Sequence, residues 1–528
     1  MLLLIISLML QIGEFPKSRA ELSNYTQTST YSDVINFIDQ VVKLSPIASV
    51  TMFGKSYEGR DLPLVILSDP KISSPEDKRV SDKIIILIIG NIHAGEVEGK
   101  EAILHIIRKF HLDENLKKLL DDAVVLTVPI LNADGNEKIS KSNRAHQNGP
   151  EGGVGVRENS QGLDLNRDFT KLETPEVRSL IINVINRWLP HIVIDCHTTN
   201  GSYHGYVLTY ATGLNPNSNS KVTNFVREEL FPEITKRMWE NYGYRIYYYG
   251  NFIDPLDPSK GWITFDHRPR FGTNYIGLIN RIAILSEAYA YADFRTRIDA
   301  TEKFIEEILR FAVKNRKKIM NLIKEADEIS VSGEVDSLGI RFQVKEFDRL
   351  EKIYGYRLIE YVDTLTGEKK RRVNEKLEVF ETKNFGEFKI VEKRLVPLAY
   401  VFSTEFKNVA DKLLEHGISV ERVKDKFRAI AEVFIIDSVK YSERKFQGHN
   451  EARLFGHYED VEIEIDSGYY YVSVRQPKLN LIFYLLEPES DDGFVNWNFF
   501  DEFLGREIED KRKVIFPVYK IKQMEVLK

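Results

Sequence analysis

The sequence predicts an α/β fold in its first part and a β-rich domain after it. Three short apolar runs carry the first half of that prediction: Ile84–Ile89, His191–Cys196 and Arg281–Ser286. Runs of this kind suit strands covered on both faces, as in α/β sheets. The second half rests on a change of texture near residue 329, after which short alternating segments and turns replace the buried runs. At 528 residues the chain is too long for one ordinary core, so two or three domains are expected.

Taken in order, Met1–Ile12 is apolar, too short to span a bilayer and long enough for the core of a secretory signal. It lacks a basic start and a small-residue cleavage site. We expect a leader over residues 1–22 and an exported protein, extracellular or periplasmic; a cytoplasmic protein with an apolar first strand or helix is the alternative. The first apolar strand ends at Gly90, and Val97, Ala102, Ile103, Ile106 and Ile107 follow at helical spacing. His93 and Glu96 therefore sit on a strand-to-helix turn, at the carboxyl edge where open α/β sheets bind ligands. Residues 160–169 form a loop entered through Gly162 that gathers Asp164, Asn166 and Arg167. The second strand delivers His197 at its end, and the third delivers Glu287. A long amphipathic helix from Ala300 to about Ala326 closes this region, which we bound at 23–328.

Residues 329–528 read as a β-rich C-terminal domain. Tyr356–Val362 with its Thr366-Gly367 turn, Val461–Ile465, Tyr469–Val474 and Leu481–Leu486 are its expected strands. One helix interrupts them from about Thr404 to His416, with Gly417 as its stop.

His-x-x-Glu is weak evidence for metal, because a Glu at a helix start is also favoured by the helix dipole. The other strand ends strengthen it, since together they present two histidines and two carboxylates. Two neutral imidazoles and one carboxylate leave a tetrahedral zinc with an open fourth position, the arrangement of catalytic sites. A spare carboxylate beside that position completes a hydrolytic centre.

Six stretches add a family resemblance. His93-Ala-Gly-Glu96, Gly162-Leu-Asp-Leu-Asn-Arg167, Asp195-Cys-His197 and Leu285-Ser-Glu287, with Phe53–Arg60 and Asn132-Ala-Asp-Gly135 ahead of the last three, resemble the zinc carboxypeptidases of the carboxypeptidase A type, the M14 metallopeptidases. The resemblance covers roughly residues 25–325 and implies a carboxypeptidase-like mixed sheet flanked by helices. It implies one Zn²⁺ per chain on His93, Glu96 and His197, with Glu287 as the general base. It implies that Asn166 and Arg167 grip the free carboxylate of a peptide, and that Asp164 orients His93. An arginine is expected to steady the oxyanion; Arg157 and Arg144 both fit, and Arg157 is favoured. Tyr275 is the candidate for the tyrosine that closes over the substrate, although it lies nearer Glu287 than the family pattern leads one to expect.

The remaining chemistry-bearing residues have blander readings. His105 and His111 are expected to be solvated, His204 to lie on the surface, and His267 to be a candidate wall of the specificity pocket. Cys196, the single cysteine, permits no intrachain disulfide and reads as a small buried residue pointing away from His197. A net charge of −6 gives no basic field for nucleic acid, and Lys369–Arg372 reads as a charged hairpin. No segment is long and apolar enough for stable membrane insertion. The acidic and aromatic run Glu487–Asp501 is either a binding surface for sugar or Ca²⁺ or a buried hairpin edge. The expected function is a metallocarboxypeptidase acting on peptides with a free C-terminal carboxylate. The alternatives are a zinc deacylase acting on acylated amino acids or cell-wall fragments, and a non-catalytic binding protein on a peptidase scaffold.

Overall fold

A computed structural model describes residues 14–199, 201–508 and 514–525; most of the expected leader lies outside them. Eight strands build the central sheet: β1 (Ala48–Lys55), β2 (Asp61–Leu67), β3 (Ile84–Gly90), β4 (Ala123–Val128), β5 (Ile192–Thr199), β6 (Leu208–Ala211), β7 (Ile246–Tyr248) and β8 (Ile282–Tyr289). Their order is β1-β2-β4-β3-β5-β8-β6-β7. The four central strands β4, β3, β5 and β8 run parallel to one another, while β1 and β2 on one side and β6 on the other join antiparallel. The sheet is therefore mixed, as expected, and β3, β4 and β5 are buried at every position.

Helices cover both faces because continuous apolar strands cannot face water. Helix α1 (Glu98–Leu112) packs on β3 and β5. A Cβ on its Gly99 would lie 2.6 Å from the Cβ of Cys196, so only glycine lets this helix approach β5. Cys196 is buried at this contact, on the sheet face opposite the cleft described below.

Three expectations are corrected here. The single helix expected over 300–326 is two helices, α2 (Phe294–Lys314) and α3 (Arg316–Ser332). They meet at Asn315, whose side chain donates to the Phe311 carbonyl and ends the first helix. Leu481–Leu486, expected as a strand, lies in a helix, α4 (Leu479–Leu486), buried on every side. An apolar run surrounded by protein shows no periodicity, which is why sequence alone assigned it wrongly. His105 is not solvated: it is buried with its ring nitrogens 3.2 Å from Glu302 and 3.3 Å from Ser18, and His111 pairs with Ser45.

After α3 ends at Gly333, in the left-handed conformation at φ +85°, small strand pairs lead to a sheet built on two long antiparallel strands, β9 (Phe427–Tyr441) and β10 (Ala452–Ile465). The expected 366–367 turn joins the pair Leu358–Val362 and Lys369–Val373. The later residues pack against the earlier ones. Asn384 pairs with Trp262 in a parallel bridge, and one continuous apolar cluster contains residues from Ala20 to Val518.

Candidate active site

The turn after β3 starts at Asn91, which takes the left-handed conformation at φ +60°, and closes with the Glu96 N–H on the His93 carbonyl at 2.9 Å. This turn points both side chains at the end of β5, where His197 stands. In the parallel register Glu287 on β8 is the neighbour of His197, so strand alternation puts both on the same face of the sheet.

His93 Nδ1 and His197 Nδ1 lie 3.1 Å apart. Glu96 approaches both, with Oε1 at 3.1 Å from the first and Oε2 at 3.0 Å from the second. Among the described residues these three form the one group of His, Cys, Asp or Glu side chains with ligand atoms close enough to share an ion, and all three are buried. The outer ring nitrogens face carboxylates: His93 Nε2 is 3.0 Å from Asp164 Oδ1, and His197 Nε2 is 2.9 Å from Asp195 Oδ2. With Nε2 holding the proton in each ring, both Nδ1 atoms bear lone pairs, and they converge with a carboxylate in a buried space. That set of acceptors calls for a cation. A tetrahedral zinc with bonds of about 2.0–2.1 Å would hold two nitrogens roughly 3.3 Å apart, close to the separation found. The residues fit zinc.

Sequence reading missed Asp195. The signal is present, since Asp195 stands in the Asp195-Cys-His197 stretch and residues two apart on a strand share a face, but the sequence reading gives it no role of its own.

Several shifts follow from this crowding. Burial alone would raise Glu96, but His93, Arg144 and His197 outweigh it and hold its carboxyl well below the usual range. Burial disfavours the charged form of His197, and Asp195 and Glu96 reverse that and raise it. Glu287 behaves oppositely: burial, against the partial relief of His197 and with Glu96 adding repulsion, pushes it up to about 8.

Two sequence motifs lock together behind the site. Asp134 accepts hydrogen bonds from Ser56 Oγ at 2.6 Å, the Glu58 N–H at 2.9 Å and Arg60 at 2.6 Å. In the same turn Asn132 donates to the Arg157 carbonyl at 3.1 Å and so fixes the segment that carries Arg157. Arg157 bonds Asp164 at 2.9 Å and lines the cleft. Arg144 instead spends its guanidinium on Glu96 at 2.9 Å, the Thr198 carbonyl at 2.8 Å and Gln147 at 2.8 Å, bracing the turn from behind.

The cleft, about 220 Å³, brings His93, Glu96, His197, Arg157, Asn166, Arg167 and Glu287 together. Asn166 Oδ1 accepts from the Gly272 N–H at 2.8 Å, which turns the amide NH₂ toward the cleft. The Arg167 guanidinium lies 3.9 Å above the Phe271 ring. Phe265, Phe271, Leu285 and Tyr249 supply apolar wall.

Tyr275 is not in this cleft. It is fully buried, with its hydroxyl 3.0 Å from His416 Nδ1, and the phenol that does line the cleft is Tyr249, at the end of β7. Tyr249 was missed because a strand-end tyrosine carries no motif. His204 is buried among Tyr289, Tyr206 and Trp262 rather than on the surface, and burial pushes its imidazole down to about 3. His267 lies 3.1 Å from Asp491, outside the cleft lining. Within Glu487–Asp501, Glu487, Asp492 and Trp497 are buried, so this run is interior and not an open binding surface.

A profile of the zinc carboxypeptidase family matches residues 34–199. This segment is a zinc carboxypeptidase domain. The match includes His93, Glu96, Asn166, Arg167 and His197; Glu287 lies beyond it. The chain is 28% identical to mouse carboxypeptidase Z over 155 residues, 28% of this chain and 22% of that protein. It is 33% identical to carboxypeptidase D of Anas platyrhynchos over 148 residues, 26% of this chain and 10% of that one. The similarity thus spans about a fifth or less of these two relatives. Among solved structures, a metallo-carboxypeptidase from Burkholderia cenocepacia aligns with a TM-score of 0.40 at 18% identity, over 54% of this chain and 69% of that one. The zinc carboxypeptidase domain places its metal-capable triad at the carboxyl ends of β3 and β5, where the strand order brings β8 alongside.

Proposed function

We propose that this chain is a zinc-dependent metallocarboxypeptidase that hydrolyses the C-terminal bond of peptides. One observation carries the reading: the metal-capable triad, the raised Glu287 carboxyl and the Asn166-Arg167 pair share one small cleft. When bound at His93, Glu96 and His197, zinc supplies Lewis acidity toward a carbonyl and toward water.

The chain's own residues do the rest. Arg167 offers parallel N–H donors to a terminal carboxylate and Asn166 adds its amide, which fixes the end of the peptide. Phe271 beneath Arg167 keeps the guanidinium planar to the wall and excludes water from one face. Arg157, held by Asp164 through Nε and by Glu96 through Nη1 at 3.4 Å, donates from Nη2 to the scissile carbonyl oxygen as charge develops there. Glu287 removes a proton from the attacking water and returns it to the leaving nitrogen. A carboxyl raised by burial can both take and give that proton near neutral pH. Tyr249 replaces Tyr275 as the phenol positioned to meet the substrate. Among the described residues, no carboxylate apart from Glu96 and Glu287 lines the cleft, which favours an uncharged apolar or aromatic C-terminal residue over a basic one.

Digestion of a mixed peptide library, followed by mass spectrometry, tests this. Chelator-sensitive loss of single apolar C-terminal residues, absent from Glu287→Gln, is the expected result. Intact peptides in the presence of bound zinc would sink the reading and favour an acylated small-molecule substrate.

A further inference from the structure

The C-terminal region reaches Asp164 through the loop between β9 and β10. Between β9 and β10, residues 442–451 fold back onto the zinc carboxypeptidase domain, and Gln447 Oε1 accepts the N–H of Asp164 at 2.8 Å. Gln447 holds the left-handed conformation at φ +51°, which a non-glycine residue keeps only where the surroundings fix it. They do so here. His449 bridges Glu173 and Asn498, each at 2.9 Å or less, and the Phe446 and Trp497 rings flank the Arg270 guanidinium at 5.1 and 4.6 Å. Arg270 itself is buried between Asp492 at 2.7 Å and Glu451 at 2.6 Å.

We propose that this loop completes the metal site, with Gln447 acting as a positioning residue that fixes Asp164, and through it the ring of His93. The chemistry is short and continuous. Asp164 must place one oxygen on His93 Nε2 and the other on Arg157, which its backbone position decides. Its backbone N–H is held by a side chain from a segment nearly three hundred residues later, so the C-terminal region sets the orientation of a zinc ligand. The inference rests on the metallocarboxypeptidase reading only for what the zinc is used for, not for zinc binding itself.

The test uses the full-length protein loaded with zinc. Gln447→Met keeps the side-chain length and removes the acceptor, and Gln447→Gly removes the side chain while relieving the left-handed backbone. Zinc affinity is read by chelator competition and the fold by thermal midpoint. Loss of an outer contact to a metal-bound histidine weakens binding about 10- to 100-fold; one bond further out, we expect both variants to weaken zinc roughly 3- to 10-fold at little-changed midpoint. On a peptide substrate kcat should fall while KM stays within about twofold, and Gln447→Glu, which retains an acceptor oxygen, should recover zinc affinity toward wild type. Unchanged zinc affinity in both variants overturns the proposal. So does a loss that tracks the thermal midpoint and is not recovered by the glutamate. If no peptide is turned over by the wild type, the zinc readout still decides this inference, and only the substrate reading fails.

Discussion

At the level of single residues, the proposed general base stands outside the metal-capable triad. Glu287 contributes no ligand atom to the triad, so Glu287→Gln should keep about one zinc per chain while turnover falls by a factor on the order of 10² to 10⁴. Metal analysis beside a peptidase assay checks this, and zinc loss in the variant would make Glu287 a ligand instead. The same residue predicts a pH effect in the metal-free protein. Its carboxyl is raised from 4.5 to about 8 in the fold, so its favourable contribution is full below the unfolded value and is lost as pH rises through the folded one. Metal-free Glu287→Gln should therefore melt higher than wild type at alkaline pH, with the difference vanishing near the unfolded carboxyl value. Arg167 has a different signature. Replacing it with Ala removes a charge-assisted pair of hydrogen bonds, and kcat/KM for free-carboxyl peptides should fall about 10- to 100-fold, mainly through KM. Equal losses on amidated peptides would show that Arg167 does not read the carboxylate.

At the level of elements, the site depends on how closely α1 lies on β5. Gly99→Ala would put a methyl 2.6 Å from Cys196 Cβ and 3.1 Å from its carbonyl oxygen. The helix must then shift, and the turn carrying Glu96 shifts with it. Alanine's better helix propensity opposes this by about 1 kcal/mol, but overpacking against a buried strand costs about 1–3 kcal/mol. We expect a lower thermal midpoint and weaker zinc binding together, read by calorimetry and chelator competition; an unshifted or higher midpoint would mean that α1 has slack. Elements were legible where pattern and punctuation agreed. β3, β5 and β8 each ended in a residue whose chemistry stood out, and the helix after Glu96 had clear spacing. α4 was misread because every face is buried, and α2 and α3 were fused because the break at Asn315 lies in a side-chain bond to the Phe311 carbonyl, invisible as periodicity.

At the level of the whole molecule, the C-terminal region is part of the protein's interior. Arg270 and Tyr275 would lose their partners without it, since Asp492, Glu451 and Trp497 meet the first and His416 the second. A fragment ending at Gly333 should therefore fail to yield a folded, zinc-binding protein, and the full chain should unfold in a single calorimetric transition. Two separated transitions would show that the halves are independent. The sequence by itself singled out the metal-capable triad, Glu287 and the Asn166-Arg167 pair, because each sits at a strand end or turn where local spacing and residue type suffice. It did not determine Asp195, Tyr249, the choice between Arg157 and Arg144 at the cleft, the interior position of Tyr275, or the reach of Gln447 to Asp164. Those depend on which surfaces meet across hundreds of residues, and contacts of that range leave no local periodicity for a sequence to display.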